Sequence, residues 1–138
     1  MKKLKNKMFF LNNHCKKCGK KYANAEHKWC KPCQTDFLRA NFTNWSSGNV
    51  QIDEFIQEMQ LKLDDYDDMV FEWIAYNQFS DVKEISKSGF STLCSVIWKD
   101  GSLYYSSNEK KLMRESNKKV GLKCLNYSQN TTAFLNEV

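Results

Sequence analysis

Apolar residues in the middle of the chain recur at i, i+3, i+4, i+7 and i+11, the period of an amphipathic helix. The members of this stripe are Ile52, Phe55, Ile56, Met59 and Leu63. Asn49 precedes the stripe and is the expected N-cap, because its short side chain accepts hydrogen bonds from free backbone N–H groups. Phe37, Leu38 and Phe42 predict a shorter helix upstream. We expect the stripe to pack in a core, with a groove-binding helix for a protein partner as the alternative.

From Phe79 onward the pattern changes to the period of two that is typical of strands. Strands are predicted near 82–88, 92–99 and 118–125, with a turn at Asp100-Gly101, a small hairpin around Leu103–Tyr105, and a helix that starts after Asn130. Within the second strand, Leu93, Ser95 and Ile97 lie on one face and Cys94, Val96 and Trp98 on the other. The elements together predict an α+β fold with an antiparallel sheet in the second half of the chain.

Charge divides the chain more sharply than hydrophobicity does. Of its 138 residues, the first 33 contain ten lysines and one acid, Glu26, whereas the remainder is mildly acidic. A hydrophobic share of 41% is enough for a core and excludes a globally disordered chain. We therefore predict a basic paired-cysteine segment over 1–48, a helical linker over 49–78 and a sheet domain over 79–138.

The chain shows no targeting or membrane segment. The run Met8–Leu11 is only four residues long, and a signal-peptide core needs at least about 7. No apolar run approaches the roughly 20 residues of a membrane span. The expected location is therefore cytoplasmic, with nuclear as the alternative, and the six cysteines are expected to be thiols or metal ligands rather than disulfides.

Four of the cysteines form a CxxC…CxxC array, in which Cys15 and Cys18 make the first pair and Cys30 and Cys33 the second. Two thiolates three residues apart hold one ion from a tight turn, and two such turns complete a tetrahedron. The array therefore predicts one structural Zn²⁺. His27 is a possible substitute ligand and His14 a weaker one.

Other functions for this basic segment are less favoured. A catalytic zinc needs an open coordination position and a nearby acid or base, and Glu26 is the only carboxylate in the segment. The lysines suit the phosphates of a nucleic acid, and Tyr22 and Trp29 suit stacking on its bases, but arginine, the usual reader of base edges, is absent from residues 1–33. We expect a solvated basic surface, a protein as the possible partner, and neither nucleic acid nor a membrane.

The order of motifs after Phe79 resembles the small lobe of the protein kinase family, closest to its tyrosine-kinase-like branch. The motifs are a strand, the loop "SKSGFS" in the place of a glycine loop, a second strand, and "VGLKCL" with one lysine. The stretches "NFTNWSSGN", "DEFIQ", "EWIAYNQF", "IWKDG" and "GLKCL" are similar to fungal kinase-like families that carry a paired-cysteine segment before the kinase domain.

The resemblance implies an ATP site built from residues of the sheet and of the following helix. Lys123 matches the family's phosphate-binding lysine, Glu137 its helix partner, Leu93 the residue over the base and Gly121 the small residue under it. A plain ion pair between strand and helix is the alternative reading of Lys123 and Glu137. In the loop, Ser86, Ser88 and Ser91 replace all three signature glycines, and Gly89 remains.

Two departures limit the implied activity. A β-carbon at a positive φ costs about 1–2 kcal/mol, so serines at glycine positions are expected to weaken binding of ATP and Mg²⁺. The chain also lacks His-Arg-Asp and Asp-Phe-Gly motifs, so no catalytic residue is assigned. The expectation is a truncated, kinase-like protein that is inactive as this chain. The alternative is a zinc-dependent protein-interaction module that keeps the degenerate lobe as a scaffold.

Overall fold

The computed structural model describes residues 13–125 and is of the α+β class. Its helices are α1 (Lys31–Ala40) and α2 (Val50–Leu61), and its strands are β1 (Phe79–Lys87), β2 (Ser91–Trp98), β3 (Leu103–Ser106), β4 (Lys111–Arg114) and β5 (Lys118–Leu125). The predicted α+β class and the predicted strands near 82–88, 92–99 and 118–125 are confirmed. The predicted helix after Asn130, with Glu137, lies outside the described residues.

The chain divides into two compact units. The first, here called the cysteine unit, comprises Met1–Trp73 and Leu103–Met113. The second, the sheet unit, comprises Ile74–Ser102 and Arg114–Val138. The hairpin of β3 and β4 thus belongs with the cysteine segment, although the strands on either side of it in the sequence belong to the sheet unit.

The core of the cysteine unit forms around Trp29, which is buried together with Leu38 and Leu112. The Tyr105 ring of β3 meets the Trp29 ring edge-on, with 4.8 Å between ring centroids. The Tyr105 hydroxyl lies 2.6 Å from the Lys28 carbonyl oxygen, to which it donates a hydrogen bond. Because Trp29 and Tyr105 are separated by most of the chain, these contacts explain why the hairpin joins this unit.

Helix α2 begins as predicted. The Asn49 side chain accepts hydrogen bonds from the backbone N–H groups of Gln51 and Ile52, so Asn49 is its N-cap. The apolar stripe is only partly in the core, however, because Ile56 is buried whereas Phe55 is 54% exposed. The expectation of a core-facing stripe is therefore right for Ile56 and wrong for Phe55, whose ring instead packs edge-on against Phe71.

The sheet unit contains three antiparallel strands in the order β1-β2-β5. The predicted alternation along β2 is confirmed, because one face is buried and the other is half-buried or exposed. The buried residues are Cys94, Val96 and Trp98, with Val120 of β5 beside them. Among the described residues, no helix is long and apolar enough to cross a membrane.

Candidate metal centre and sheet face

The four cysteines of the paired motif come together in the cysteine unit. The ligand atoms of Cys15, Cys18, Cys30 and Cys33 all lie within 4.8 Å of one another. The Sγ atoms of Cys15 and Cys33 are 3.8 Å apart, and those of Cys18 and Cys30 are 3.4 Å apart. A tetrahedral centre with Zn–S bonds of about 2.3 Å has sulfur–sulfur edges of about 3.8 Å, so the cluster has the dimensions of such a centre.

The first cysteine pair is held by a tight turn. The backbone N–H of Gly19 donates to the Cys15 carbonyl oxygen at 2.7 Å, and the N–H of Lys17 points to the Cys15 sulfur at 3.4 Å. Gly19 has a φ of 79°, which glycine adopts without a steric penalty. The glycine that follows Cys18 in the sequence therefore lets the chain turn back around the sulfur atoms.

The second cysteine pair lies at the start of α1. Cys30 is the N-cap of this helix, and Pro32 stands in its first turn, where proline is favoured because no N–H is needed. The N-terminal end of a helix carries partial positive charge, which favours thiolates over thiols. The helix thus places Cys30 and Cys33 one turn apart, on the side that faces the first pair.

Burial and hydrogen bonding act in opposite directions on the thiols. Burial raises the pKa of Cys15, but hydrogen bonds from the backbone N–H groups of Cys18 and Lys17 outweigh it and bring the pKa to about 7. Burial raises the pKa of Cys30 and that of Cys33 above the ordinary thiol value. A thiolate at Cys15 is thus stabilised by the turn itself, whereas a cation is needed to stabilise thiolates at the other two.

Neither candidate histidine belongs to this group of ligand atoms. The His27 ring stacks on Tyr66 with 3.7 Å between ring centroids, and its Nδ1 lies 3.0 Å from the Ser107 hydroxyl oxygen. His14 forms a backbone bridge with Lys21. Within residues 13–125 the group therefore consists of cysteines alone, and the interpretation of a histidine as substitute ligand is not supported.

Two residues that border the four-cysteine group were not singled out from the sequence, Gln34 and Lys110. Gln34 of α1 is buried, and its side-chain N–H donates to the Lys110 carbonyl oxygen at 3.2 Å. This bond joins the helix that carries Cys33 to the turn between β3 and β4. A buried glutamine gives no periodic signal, and the partner is 76 positions away, so only the fold reveals the contact.

In the sheet unit, three of the residues implied by the kinase resemblance lie on one face. Leu93 of β2 is paired directly opposite Lys123 of β5, and Ser95 is paired opposite Gly121. Residues directly opposite in an antiparallel pair share a face. A β-carbon added to Gly121 would lie 3.8 Å from the Leu93 Cδ1 atom. The face therefore combines an apolar side chain, a glycine and an exposed lysine.

The loop between β1 and β2 differs from the expectation. The positive-φ residues in the described part of the chain all lie outside this loop. The φ angles are therefore negative at Ser86, Ser88, Gly89 and Ser91. The expectation that serines at these glycine positions adopt a strained, positive φ is therefore wrong. The Ser88 hydroxyl accepts hydrogen bonds from the backbone N–H groups of Phe90 and Ser91 at 3.2 and 3.1 Å. Two N–H groups that a phosphate would need already have a partner within the loop.

No protein-family model, curated protein or solved structure matches this chain. The kinase resemblance therefore depends on the motifs in the sequence, and the candidate metal centre depends on the positions of its four sulfur atoms.

Proposed function

We propose that this chain is a zinc-binding protein in which one structural Zn²⁺ organises the cysteine unit. The observation that carries the proposal is the convergence of four cysteine sulfurs within 4.8 Å of one another. Zinc is the common metal for four thiolates in a tetrahedral arrangement. Cys15, Cys18, Cys30 and Cys33 would each supply one thiolate, and the ion would supply the positive charge that the buried thiols lack.

The composition of the site supports a structural rather than a catalytic role. A catalytic zinc keeps one position for water or substrate, whereas structural sites are closed by four protein ligands. In the described residues the group contains four cysteines and no carboxylate or imidazole. The core residue Trp29 directly precedes the ligand Cys30, so loss of the ion is expected to disturb the packing of the unit.

The test is elemental analysis together with native mass spectrometry of protein purified without chelator. We expect one zinc per chain, and less than about half an equivalent would contradict the proposal. The variant Cys18→Ser should lose the metal. Cys124→Ser is the matched control, because Cys124 is also exposed but lies outside the group of four.

The exposed aromatic pair formed by Phe55 of α2 and Phe71 of the segment that follows the helix supports a protein-interaction role for this zinc-dependent module. Phe55 is 54% exposed and Phe71 is 38% exposed, with their rings 5.8 Å apart. Exposed apolar patches of this kind are common in protein interfaces. The helix stripe therefore keeps its alternative interpretation as a surface for a protein partner.

We also propose that the sheet unit is a kinase-like small lobe that binds ATP weakly. Leu93, Gly121 and Lys123 on one face support this function, because the resemblance places the base against the first two and the phosphates at the lysine. The internal hydrogen bonds of Ser88 account for the weakness. Mg²⁺ would accompany the phosphates.

Calorimetric titration with ATP, with and without Mg²⁺, tests this second function. Lys123→Met should remove binding, whereas Lys119→Met, on the same face and opposite Ile97, should not. Ser88→Gly should strengthen binding about tenfold, because it frees two backbone N–H groups for phosphate. Equal affinities for the two lysine variants would contradict the proposal, as would the absence of binding by both wild type and Ser88→Gly.

A further inference from the structure

A cavity of about 330 Å³ lies against the cysteine centre, entirely within the cysteine unit. Cys15, Cys30 and Cys33 form part of its wall, with Tyr22 and Phe37 as its aromatic members. Five lysines also line it: Lys16, Lys17, Lys28, Lys110 and Lys111. They come from the first cysteine turn, from the segment before Cys30, and from the β3–β4 turn and the start of β4, so distant parts of the chain bring positive charge to one place.

The positive charge exceeds what the metal centre needs. A Zn²⁺ ion with four thiolates carries two negative charges, and Glu109 adds a third to the wall. The five lysines therefore leave an excess of two positive charges. Within residues 13–125, no carboxylate forms an ion pair with any of these lysines. A concave surface concentrates the field of such charges and attracts an anion.

Two of these lysines occupy backbone positions that suit glycine. Lys28 has a φ of 53° and Lys110 a φ of 57°, and they are two of the four non-glycine residues with positive φ in the described chain. Their main chains are tied down, since the Lys28 carbonyl accepts from the Tyr105 hydroxyl and the Lys110 carbonyl from Gln34. Folding alone would favour glycine at both positions. Strained residues of this kind occur preferentially at ligand sites.

We infer that this cavity binds a small phosphomonoester carried on an aromatic or apolar group. Such a phosphate has a charge of about −2 near neutral pH, which matches the excess of the cavity. Lysine ammonium groups bind phosphate as point charges, and the Phe37 and Tyr22 rings supply the apolar wall. The inference rests on the proposed zinc centre, because the metal ligands form one side of the cavity.

The test separates binding from folding by using the two strained positions. The double variant Lys28→Gly/Lys110→Gly removes two charges and relieves two positive-φ strains, so its thermal stability should equal or exceed that of the wild type. Asn117→Gly controls for strain relief, since Asn117 has a φ of 58° and lies in the sheet unit. Lys83→Ser/Lys87→Ser removes two exposed charges of β1 and controls for net charge.

The probe is phenyl phosphate, titrated by calorimetry at low salt, with phenol and an oligothymidylate without a terminal phosphate as comparison ligands. Wild type and both controls should bind phenyl phosphate with similar affinity. The Lys28→Gly/Lys110→Gly variant should bind it at least about tenfold more weakly. Zinc content is measured on each sample.

Several results would overturn the inference. One is equal affinity in the double variant and the wild type, and another is binding of phenol as tight as that of phenyl phosphate. A zinc-loaded wild type that binds no phenyl phosphate would refute the inference and leave the metal centre intact. Binding of the oligothymidylate alone would show a nucleic-acid strand as the ligand instead. If zinc is below half an equivalent, the metal proposal fails, and the same titration still decides whether the lysines bind the phosphate.

Discussion

Of the described glycines, Gly101 has the least room for a side chain. It is buried at the turn after β2, has a φ of 75°, and packs directly against the Glu115 backbone. A β-carbon there would stand 1.7 Å from the Glu115 carbonyl oxygen, a distance that no small adjustment relieves. The turn at Asp100-Gly101 that the sequence predicted therefore depends on glycine both for its conformation and for its size.

We expect Gly101→Ala to lower the free energy of unfolding of the sheet unit by about 3 kcal/mol or more, because strain at positive φ adds to a backbone clash. Gly48→Ala is the control, since Gly48 has a φ of 86° and nothing within 4 Å of the added carbon. It should cost only about 1 kcal/mol. Urea unfolding measures both, and equal losses would show that the clash is relieved by a backbone shift.

Helix α2 is stabilised at its start by two side chains that act on different backbone groups. Asn49 caps the first free N–H groups, while Asp53 accepts hydrogen bonds from the Ser46 hydroxyl and the Ser47 N–H at 2.7 and 2.8 Å. The hydrogen bonds from Ser46 and Ser47 lower the pKa of the Asp53 carboxyl. An acid near the N-terminus also interacts favourably with the helix dipole. These hydrogen bonds therefore fix the loop before α2 to the first turns of the helix.

Asp53→Asn should lower the free energy of unfolding by about 1 kcal/mol at pH 7, because hydrogen bonds from Ser46 and Ser47 to a charged carboxylate are replaced by weaker ones to a neutral amide. Because the folded pKa lies below the unfolded one, the stabilisation is complete above the unfolded carboxyl pKa of about 4 and is lost as the pH falls through the folded value. The difference between variant and wild type should thus stay constant from pH 8 to about pH 4 and shrink below. Glu54→Gln, at an exposed neighbour, should show no such difference.

At the scale of the whole molecule, each unit has its own buried core. Trp29, Leu38, Leu63 and Leu112 form one, and Cys94, Val96, Trp98 and Val120 form the other. The group of four cysteines lies in the first of these units. Loss of the metal is therefore expected to unfold the cysteine unit, including the β3–β4 hairpin, and to leave the sheet unit folded.

A chelator should remove the zinc and unfold the cysteine unit while the sheet unit keeps its structure. The amide signals of Leu103–Met113 should lose dispersion together with those of α1, whereas those of Ser91–Trp98 should not. NMR spectra before and after chelation measure this, and re-addition of zinc should restore the lost signals. Simultaneous loss of both sets would contradict the independence of the units, and persistence of both would contradict a structural role for the metal.

Local features of the sequence determined much of this protein. The spacing of the cysteine pairs predicted the four-cysteine group, and the residues that shape it act locally: Gly19 allows the tight turn after the first pair, and Pro32 stands in the first turn of α1. The cap at Asn49 and the alternation along 93–98 likewise depend on neighbouring residues and on the period of the element. Such interactions can be read from the chain because both partners stand close together in it.

Only the tertiary structure decided the features that join distant residues. The β3–β4 hairpin lies between two strands of the sheet in sequence, yet the packing of Tyr105 against Trp29 assigns it to the cysteine unit. The partial exposure of the α2 stripe and the lysine-lined cavity depend on the same long-range packing. The φ angle of Ser88 could also not be predicted from its motif. Hydrogen bonds within the loop set its conformation, whatever family pattern the sequence matches.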